Sequence, residues 1–142
     1  STLQLLFKCS RLLNERALAS FPEGDPAGAA RPAHLALLPH IDLRTGTRIT
    51  DIAARLEISK QAVGQLVDDL VGFGVVQRTQ DPEDRRAKRV QFTEKGKSLM
   101  LDGLRHLRQI EAQLSRELGK NVMQSLHESL LTLHDHLELR DE

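Results

Sequence analysis

The chain has 142 residues, a length that suits one domain, or one domain with an appended dimerisation segment. Hydrophobic residues make up 39% and charged residues 28%, which is ordinary for a soluble globular protein, and no apolar run approaches the ~20 residues that a membrane-spanning helix needs. The single cysteine, Cys9, excludes an intramolecular disulfide, so we expect a cytoplasmic protein with no membrane partner. Four Phe and no Trp or Tyr argue against a single-stranded nucleic acid partner, because such proteins stack bases on aromatic rings.

The formal net charge is zero, but the charges are distributed unevenly along the chain. Residues 44–97 hold 11 Lys or Arg against 8 Asp or Glu, whereas residues 98–142 hold 5 against 8. A basic middle joined to an acidic end is typical of a DNA-binding module attached to a segment that does not touch DNA. The asymmetry is small, so the assignment depends on the elements themselves.

The first 43 residues predict a helix, a loop and a short second helix. Residues 20–33 contain three prolines and two glycines and predict the loop. Residues 34–43 predict a helix that Pro39 kinks or breaks, because proline removes a backbone hydrogen bond. Residues 2–19 predict a helix with a broad buried face, formed by Leu3, Leu6, Cys9, Ser10, Leu13 and Ala17.

Two capped helices follow, separated by a short break. We expect Thr50 to cap a helix over residues 51–56, and Ser59 to cap a second helix that reaches about Phe73. Gly74 stands where a left-handed residue would end that second helix. The inward faces are apolar residues at helical spacing: Ile52, Ala53 and Leu56 in the first helix, and Val63, Leu66, Val67, Leu70 and Phe73 in the second.

The remaining residues predict a hairpin and two long helices. Residues 75–79 and 88–92 predict two short strands that flank a charged loop. Thr93 is expected to cap a long helix that Gly119 ends, and a last helix spans about residues 121–139. The last helix carries a heptad-like apolar seam, typical of a surface that packs against another helix, at Met123, Leu126, Leu130, Leu133 and Leu137.

Two capped helices followed by a hairpin with a basic loop form a winged helix-turn-helix. The predicted fold class is mainly α with a small β-hairpin wing, in which the winged helix-turn-helix carries N- and C-terminal dimerisation helices. We assign residues 1–33 to the N-terminal dimerisation helix and loop, residues 34–92 to the DNA-binding domain and residues 93–142 to the C-terminal dimerisation helices.

The second helix of the pair is the predicted recognition helix, because it buries one face and presents the other. Its outward positions near the N-terminus are Lys60, Gln61, Gly64 and Gln65. Gln can pair with adenine and Lys suits guanine or phosphate. Gly64 costs about 1 kcal/mol relative to Ala inside a helix, and on the groove face it would permit close approach of the backbone. The alternative interpretation is an ordinary polar surface helix.

The wing, residues 81–89, which comprises the charged loop and the start of the second strand, ends with four cations in five positions. A hairpin tip can place such a cluster along a DNA backbone or in a narrow minor groove. Alternation along the second strand separates Lys88 from Arg89, so only one of them should face DNA. We expect Asp84 to hold Arg86, which favours Arg85 as the residue that reads the groove. The alternative interpretation is a solvated charged loop.

On these residues the chain resembles the MarR (multiple antibiotic resistance regulator) family. The resemblance lies in Thr50-Asp-Ile-Ala-Ala-Arg-Leu, Ser59-Lys-Gln-Ala-Val, Leu66-Val-Asp-Asp-Leu, Gly74-Val-Val-Gln-Arg and Asp81-Pro-Glu-Asp-Arg-Arg-Ala-Lys-Arg-Val-Gln-Phe-Thr-Glu-Lys-Gly96. It implies a triangular dimer joined through its first and last helices, which binds a pseudo-palindrome and is often released by a small ligand. It also implies that residues 59–65 enter the major groove and the wing enters the minor groove. The loop over residues 20–33 and Pro39 depart from the commoner pattern of the family.

The candidate DNA-contacting residues belong to the two helix starts and the wing: Arg48, Thr50, Ser59, Lys60, Gln61, Gly64, Gln65, Arg85, Arg86 and Lys88. The candidates for binding a small-molecule effector are Cys9, Arg16, His34 and His40. Cys9 falls on the apolar face of its helix, where a cysteine is usually a small buried hydrophobe, and a redox sensor is the alternative.

Metal and catalytic sites are weakly supported. His40 and Asp42 offer two metal ligands, too few for a zinc site without Cys9 or His106. We therefore expect no metal and no cofactor. The sequence has no phosphate loop, nucleophile elbow or paired-cysteine cluster, so we do not expect an enzyme.

The sequence favours a sequence-specific transcription regulator that binds double-stranded DNA as a homodimer, a repressor that a small-molecule effector releases. Two alternatives stay open. One is a winged-helix module that docks on protein without binding DNA, and the other is a redox- or metal-responsive regulator.

Overall fold

The computed structural model describes residues 1–19 and 22–139. The chain divides into two compact units, Ser1–Gly103 and Leu104–Glu142. The α-helices and β-strands are α1 (Thr2–Leu18), α2 (Pro32–Leu37), β1 (Thr47–Arg48), α3 (Ile49–Leu56), α4 (Lys60–Gly72), β2 (Val76–Gln80), β3 (Lys88–Phe92), α5 (Glu94–Leu118) and α6 (Lys120–Glu138). The predicted fold class, mainly α with a hairpin wing, is confirmed.

Helices α3 and α4 pack against each other through apolar residues at helical spacing. Ile52 of α3 and Val63 and Val67 of α4 are each 0% exposed, and Leu70 is 2% exposed. The side chain of Ser59 caps α4 by accepting a hydrogen bond from the backbone N–H of Ala62 at 3.0 Å. The predicted cap and the predicted inward face of this helix are confirmed.

The predicted cap of α3 at Thr50 is wrong, because the helix begins at Ile49 with Arg48 as its N-cap. Arg48 ends β1, whose pairing with β3 aligns Arg48 with Arg89 and holds it in extended backbone. The chain therefore enters α3 directly from a strand, two residues before the predicted cap. Thr50 is an exposed residue in the first turn.

The sheet has three antiparallel strands in the order β1, β3, β2. The two predicted hairpin strands are confirmed, with Val76 opposite Phe92 and Gln80 opposite Lys88. Strand β1 was not predicted, since two residues are too few for a strand pattern to show. Buried Val76, Val90 and Phe92 join the sheet to the core below α3 and α4.

The end of α4 and the start of α5 meet at two glycines. Gly74 has φ +76°, which confirms the predicted left-handed end of α4. Thr93 caps α5, since its Oγ1 accepts a hydrogen bond from the backbone N–H of Gly96 at 3.0 Å. A Cβ at Gly96 would collide with the carbonyl of Val75, so only glycine lets α5 begin this close to the sheet.

The predicted buried face of α1 is wrong for the single chain. None of the residues of α1 is buried, because the described residues of this chain do not cover the face. Cys9, expected as a small buried hydrophobe, is exposed. The exposed large apolar residues of this helix are Leu3, Leu5, Phe7, Leu12 and Leu13.

The predicted loop over residues 20–33 is more ordered than expected; Ser20 and Phe21 lie outside the described residues. A short 3-10 helix at Pro26–Ala29 buries Ala27, and Asp25 caps it by accepting the Ala27 N–H at 2.8 Å. Helix α2 begins at Pro32. It gives way to a 3-10 helix at Leu38–His40, which confirms the predicted break at Pro39.

The second unit contains the end of α5 and all of α6. Gly119 has φ +96° and separates the two helices, so the predicted end of α5 is confirmed. On the predicted seam of α6, Met123 and Leu133 are half-buried, whereas Leu126, Leu130 and Leu137 are exposed. No helix within residues 1–19 and 22–139 is long and apolar enough to cross a membrane.

Candidate nucleic-acid interface

The outer face of α4 is polar and fixed in place by the opposite face. Lys60, Gln61 and Gln65 are exposed, as predicted, while Val63 and Val67 on the other side are fully buried in the core. Because the cap and the core hold the backbone of α4, these side chains project from a rigid support. Amide and ammonium groups at this spacing can donate to base edges and phosphates.

Gly64 lies in the middle of this face, and nothing in the fold requires it to be glycine. A Cβ built at Gly64 would meet no atom within 4 Å, and its φ is not in the left-handed region. An alanine there would favour the helix by about 1 kcal/mol. The glycine is therefore a cost to folding that the protein's own packing does not explain.

Arg78 of β2 lies beside α4 and was missed by the sequence analysis. Its Nη2 donates to the carbonyl oxygen of Gly64 at 3.2 Å, and its Nη1 lies 2.6 Å from Oδ1 of Asp68. The only sequence signal was its place at the end of the Gly74-Val-Val-Gln-Arg motif. Nothing in the linear pattern shows that this strand residue reaches the recognition helix.

The base of the wing is organised by Asp81. Its side chain is fully buried, and its Oδ2 accepts hydrogen bonds from Nε of Arg48 at 2.8 Å and from Nε of Arg89 at 2.6 Å. Its Oδ1 accepts the backbone N–H groups of Glu83 at 2.9 Å and Asp84 at 3.0 Å. One carboxylate thus ties β1, β3 and the turn of the wing together.

These hydrogen bonds determine the charge states of Asp81 and Arg48. The bond from Arg48 contributes most to holding the pKa of the Asp81 carboxyl far below its ordinary value, and the bonds from Glu83, Arg89 and Asp84 act in the same direction. Burial opposes this shift but is outweighed. The same pairing raises the pKa of Arg48.

The cations of the wing and of the adjoining strand β1 therefore fall into two sets. Arg48 and Arg89 direct Nε to Asp81, and Arg89 also donates from Nη1 to the carbonyl of Gly46 at 3.2 Å. The exposed set is Arg85, Arg86 and Lys88. The predicted alternation of Lys88 and Arg89 is confirmed, since the first is exposed and the second turns towards Asp81.

The predicted hold of Asp84 on Arg86 is wrong in its detail. Oδ1 of Asp84 accepts the backbone N–H of Arg86 at 2.9 Å, so it fixes the main chain of the turn and not the guanidinium. This removes the reason for preferring Arg85 to Arg86 as the residue that contacts the minor groove. The carbonyl of Arg85 accepts a bond from Nε2 of Gln80 at 3.3 Å, which further orders the turn.

Of the four predicted effector residues, only His40 lines either of the two polar clefts described for this surface. Cys9 and Arg16 are exposed on α1. His34 is 1% exposed; its Nδ1 accepts the N–H of Arg31 at 2.8 Å, and its Nε2 lies 2.9 Å from Oδ2 of Asp69. His34 therefore links α2 to α4 and has both ring nitrogens occupied.

His40 lines a polar cleft of about 340 Å³ between the start of α3 and the sheet, together with Asp42, Arg48, Arg55 and Arg89. The Asp42 carboxylate accepts the N–H groups of Thr45 and Arg44, which lower the pKa of the carboxyl. Asp42 thus serves the turn that precedes β1. Among the described residues, no three His, Cys, Asp or Glu side chains are grouped as metal ligands would be.

Comparison with known proteins gives one family match and a consistent fold. Residues 31–87 match the model of the MarR family. No curated protein sequence matches the chain significantly. Solved structures match almost the whole chain. RV1404 from Mycobacterium tuberculosis is 21% identical with a TM-score of 0.75, and the match covers 95% of this chain and 90% of that one.

Two similar structures contain DNA. FabT from Streptococcus pneumoniae, solved in complex with DNA, is 17% identical with a TM-score of 0.71, and the match covers 96% of this chain and 93% of that one. The transcriptional repressor CouR, solved with a 23-mer DNA duplex, is 26% identical with a TM-score of 0.68. That match covers 92% of this chain and 89% of that one. These likenesses establish the winged helix-turn-helix fold of this chain.

Proposed function

Because residues 31–87 carry a MarR-family winged helix-turn-helix and the chain has the fold of the solved regulators, we propose that this protein is a transcription regulator that binds double-stranded DNA. One observation carries the proposal. The rigid polar face of α4 and the exposed cations of the ordered wing belong to one compact unit. Helix and wing are the two elements with which this fold reads a duplex.

The recognition helix enters the major groove with its N-terminal turns. Gln61 and Gln65 offer paired donors and acceptors to adenine, and Lys60 donates to guanine or to phosphate. Ser59 and Thr50 stand exposed at the two helix starts, where hydroxyl groups and backbone N–H groups suit phosphate oxygens. Gly64 lets the α4 backbone approach the base edges without a side chain between them.

The wing follows the DNA backbone or enters the minor groove. Arg85, Arg86 and Lys88 carry the contact, and Asp81 holds the hairpin that presents them. Arg48 joins the contact with its terminal nitrogens, since its Nε is bound to Asp81 and its side chain remains 32% exposed. A hairpin that is ordered before binding loses less conformational entropy on the DNA.

The protein acts as a homodimer on a pseudo-palindromic operator. Helix α1 exposes a run of large apolar side chains, and α6 exposes most of its heptad-like seam. Surfaces of this kind are unfavourable in water, and a second copy of the chain covers them with matching apolar residues. Two-fold symmetry then presents two recognition helices to half-sites one or more DNA turns apart.

Repression is the mode of regulation that this arrangement supports: a dimer that occupies a promoter excludes the transcription machinery. Release by a small-molecule effector stays a prediction, because both ring nitrogens of His34 are bonded within the protein and only His40 of the four candidates lines a described cleft.

The test is selection of duplexes from a random library by the purified protein, followed by sequencing. We expect enrichment of a pseudo-palindrome with half-sites separated by about one helical turn. Enrichment of a single unrepeated half-site would contradict the dimer. A library that stays random after repeated rounds would overturn DNA binding and leave the protein-docking alternative.

A further inference from the structure

Arg78 lies in the sheet that supports the wing, and its side chain binds two groups of the recognition helix α4. Its two terminal nitrogens reach the Gly64 carbonyl at 3.2 Å and the Asp68 carboxylate at 2.6 Å, two groups one helical turn apart. Arg78 lies in β2, three positions before the wing loop begins at Asp81, and is paired with Val90 of β3. One side chain therefore connects the two elements that the proposed function assigns to DNA reading.

The contact between Arg78 and Asp68 also neutralises a negative charge on the recognition helix. Helix α4 carries adjacent carboxylates at Asp68 and Asp69, which would repel phosphates as the helix enters a groove. Asp69 is partnered by Nε2 of His34 at 2.9 Å and approached by Arg31 at 3.8 Å. Asp68 is partnered by Arg78. Removing Arg78 would take away this partner and leave the Asp68 charge on the face of α4 that carries Gln61 and Gln65.

We propose that Arg78 is a positioning residue for DNA binding, which fixes α4 relative to the wing and neutralises Asp68, and that it does not itself bind phosphate. The proposal rests on the DNA-binding function proposed above. The guanidinium suits this role because its planar donors can serve a carbonyl and a carboxylate together, which a single ammonium group does poorly. Both partners are partly exposed, so the pair adds little to the stability of the free protein.

A double-mutant cycle separates positioning from direct contact. The variants are Arg78→Ala, Asp68→Asn and the two combined, and the probe is a labelled duplex that the wild-type protein has selected from a random library. We expect Arg78→Ala to weaken binding about tenfold in the wild-type background and less than about threefold in the Asp68→Asn background. The slope of log K against log salt should stay unchanged, because no phosphate contact is lost.

Three further measurements complete the design. Arg116→Ala removes one exposed cation outside the helix-turn-helix and wing, and it should leave affinity within about twofold. Thermal melting of each variant should match the wild type, which shows that the fold is intact. Arg78→Lys keeps the charge and should recover only part of the lost affinity.

Several outcomes overturn the proposal. An equal loss from Arg78→Ala in both backgrounds, with a salt slope shallower by about one, would assign Arg78 to a phosphate contact. Full recovery by Arg78→Lys would reduce its role to charge alone, and an unchanged affinity in Arg78→Ala would remove any role. If the wild-type protein selects no duplex, it is the proposed function that fails, and this is seen before any variant is made.

Discussion

Gly64→Ala separates what α4 needs for folding from what it needs for binding DNA. Glycine inside a helix is less favourable than alanine by about 1 kcal/mol, and the new Cβ would meet no atom within 4 Å. The free energy of unfolding should therefore rise by about 1 kcal/mol. For a chain of this size, that corresponds to an increase in Tm of about 4 °C.

The same methyl group would stand between the α4 backbone and the base edges. Overpacking a close interface costs about 1–3 kcal/mol, so binding to a selected duplex should weaken by about fivefold or more. Fluorescence anisotropy measures the affinity, and circular dichroism measures Tm on the same preparations. A variant that is more stable and binds DNA as well as the wild type would refute the close approach at Gly64.

Gly72→Ala is the matched control for this experiment. Gly72 is the last residue of α4, and a Cβ there also meets nothing within 4 Å. Its position at the helix end should make the gain in Tm equal to or smaller than that of Gly64→Ala, with no loss of DNA affinity. A fall in Tm for Gly64→Ala would show that the site is not open, contrary to the structure.

Four further results are expected. Asp81→Asn should lower Tm and weaken DNA binding roughly tenfold, because an amide cannot pair with two guanidinium groups as a carboxylate does. Since the folded pKa of Asp81 is depressed, its contribution to the stability of the fold is complete above the unfolded carboxyl pKa and is lost only in strong acid. Titration of Asp81 should therefore leave DNA affinity unchanged between about pH 5 and 8. A change in wild-type affinity over this range that Asp81→Asn abolishes would contradict this. Arg85→Ala should cost about 1–3 kcal/mol of binding free energy in anisotropy titrations, and an unchanged affinity would transfer the role to Arg86 or Lys88. Sedimentation at micromolar concentration should give a dimer that Leu130→Glu converts to monomer; a wild-type monomer with tight DNA binding would refute the apolar-helix interface.

The helix pair and the wing strands were predictable because their signals are local. A capping serine, apolar residues at helical spacing and a left-handed glycine are fixed by the chemistry of a few neighbouring residues. Ser59, Val63, Val67 and Gly74 all behave as predicted. The polar face of α4 followed directly, since the face opposite a buried stripe has to be exposed.

The contacts that organise the site were not predictable because they depend on distant pairing. Asp81 and Arg48 are 33 positions apart in the chain, and only the β1–β3 pairing brings them together. In the linear sequence Arg89 looks like any other wing cation, and Arg78 looks like a surface residue on a strand. Burial of α1 was also mispredicted, because an apolar stripe indicates that something covers it without indicating whether the cover lies in the same chain.

The most direct test of the account is the salt dependence of binding to the selected duplex and to a scrambled duplex of the same composition. If Arg48, Arg85, Arg86 and Lys88 of each protomer meet phosphates, a dimer neutralises about eight, and log K should fall with log salt at a slope of about −7. At physiological salt the selected duplex should bind about a thousandfold or more tightly than the scrambled one. Equal affinity for both duplexes, or binding that does not change with salt, would contradict the claim that α4 and the wing read duplex DNA.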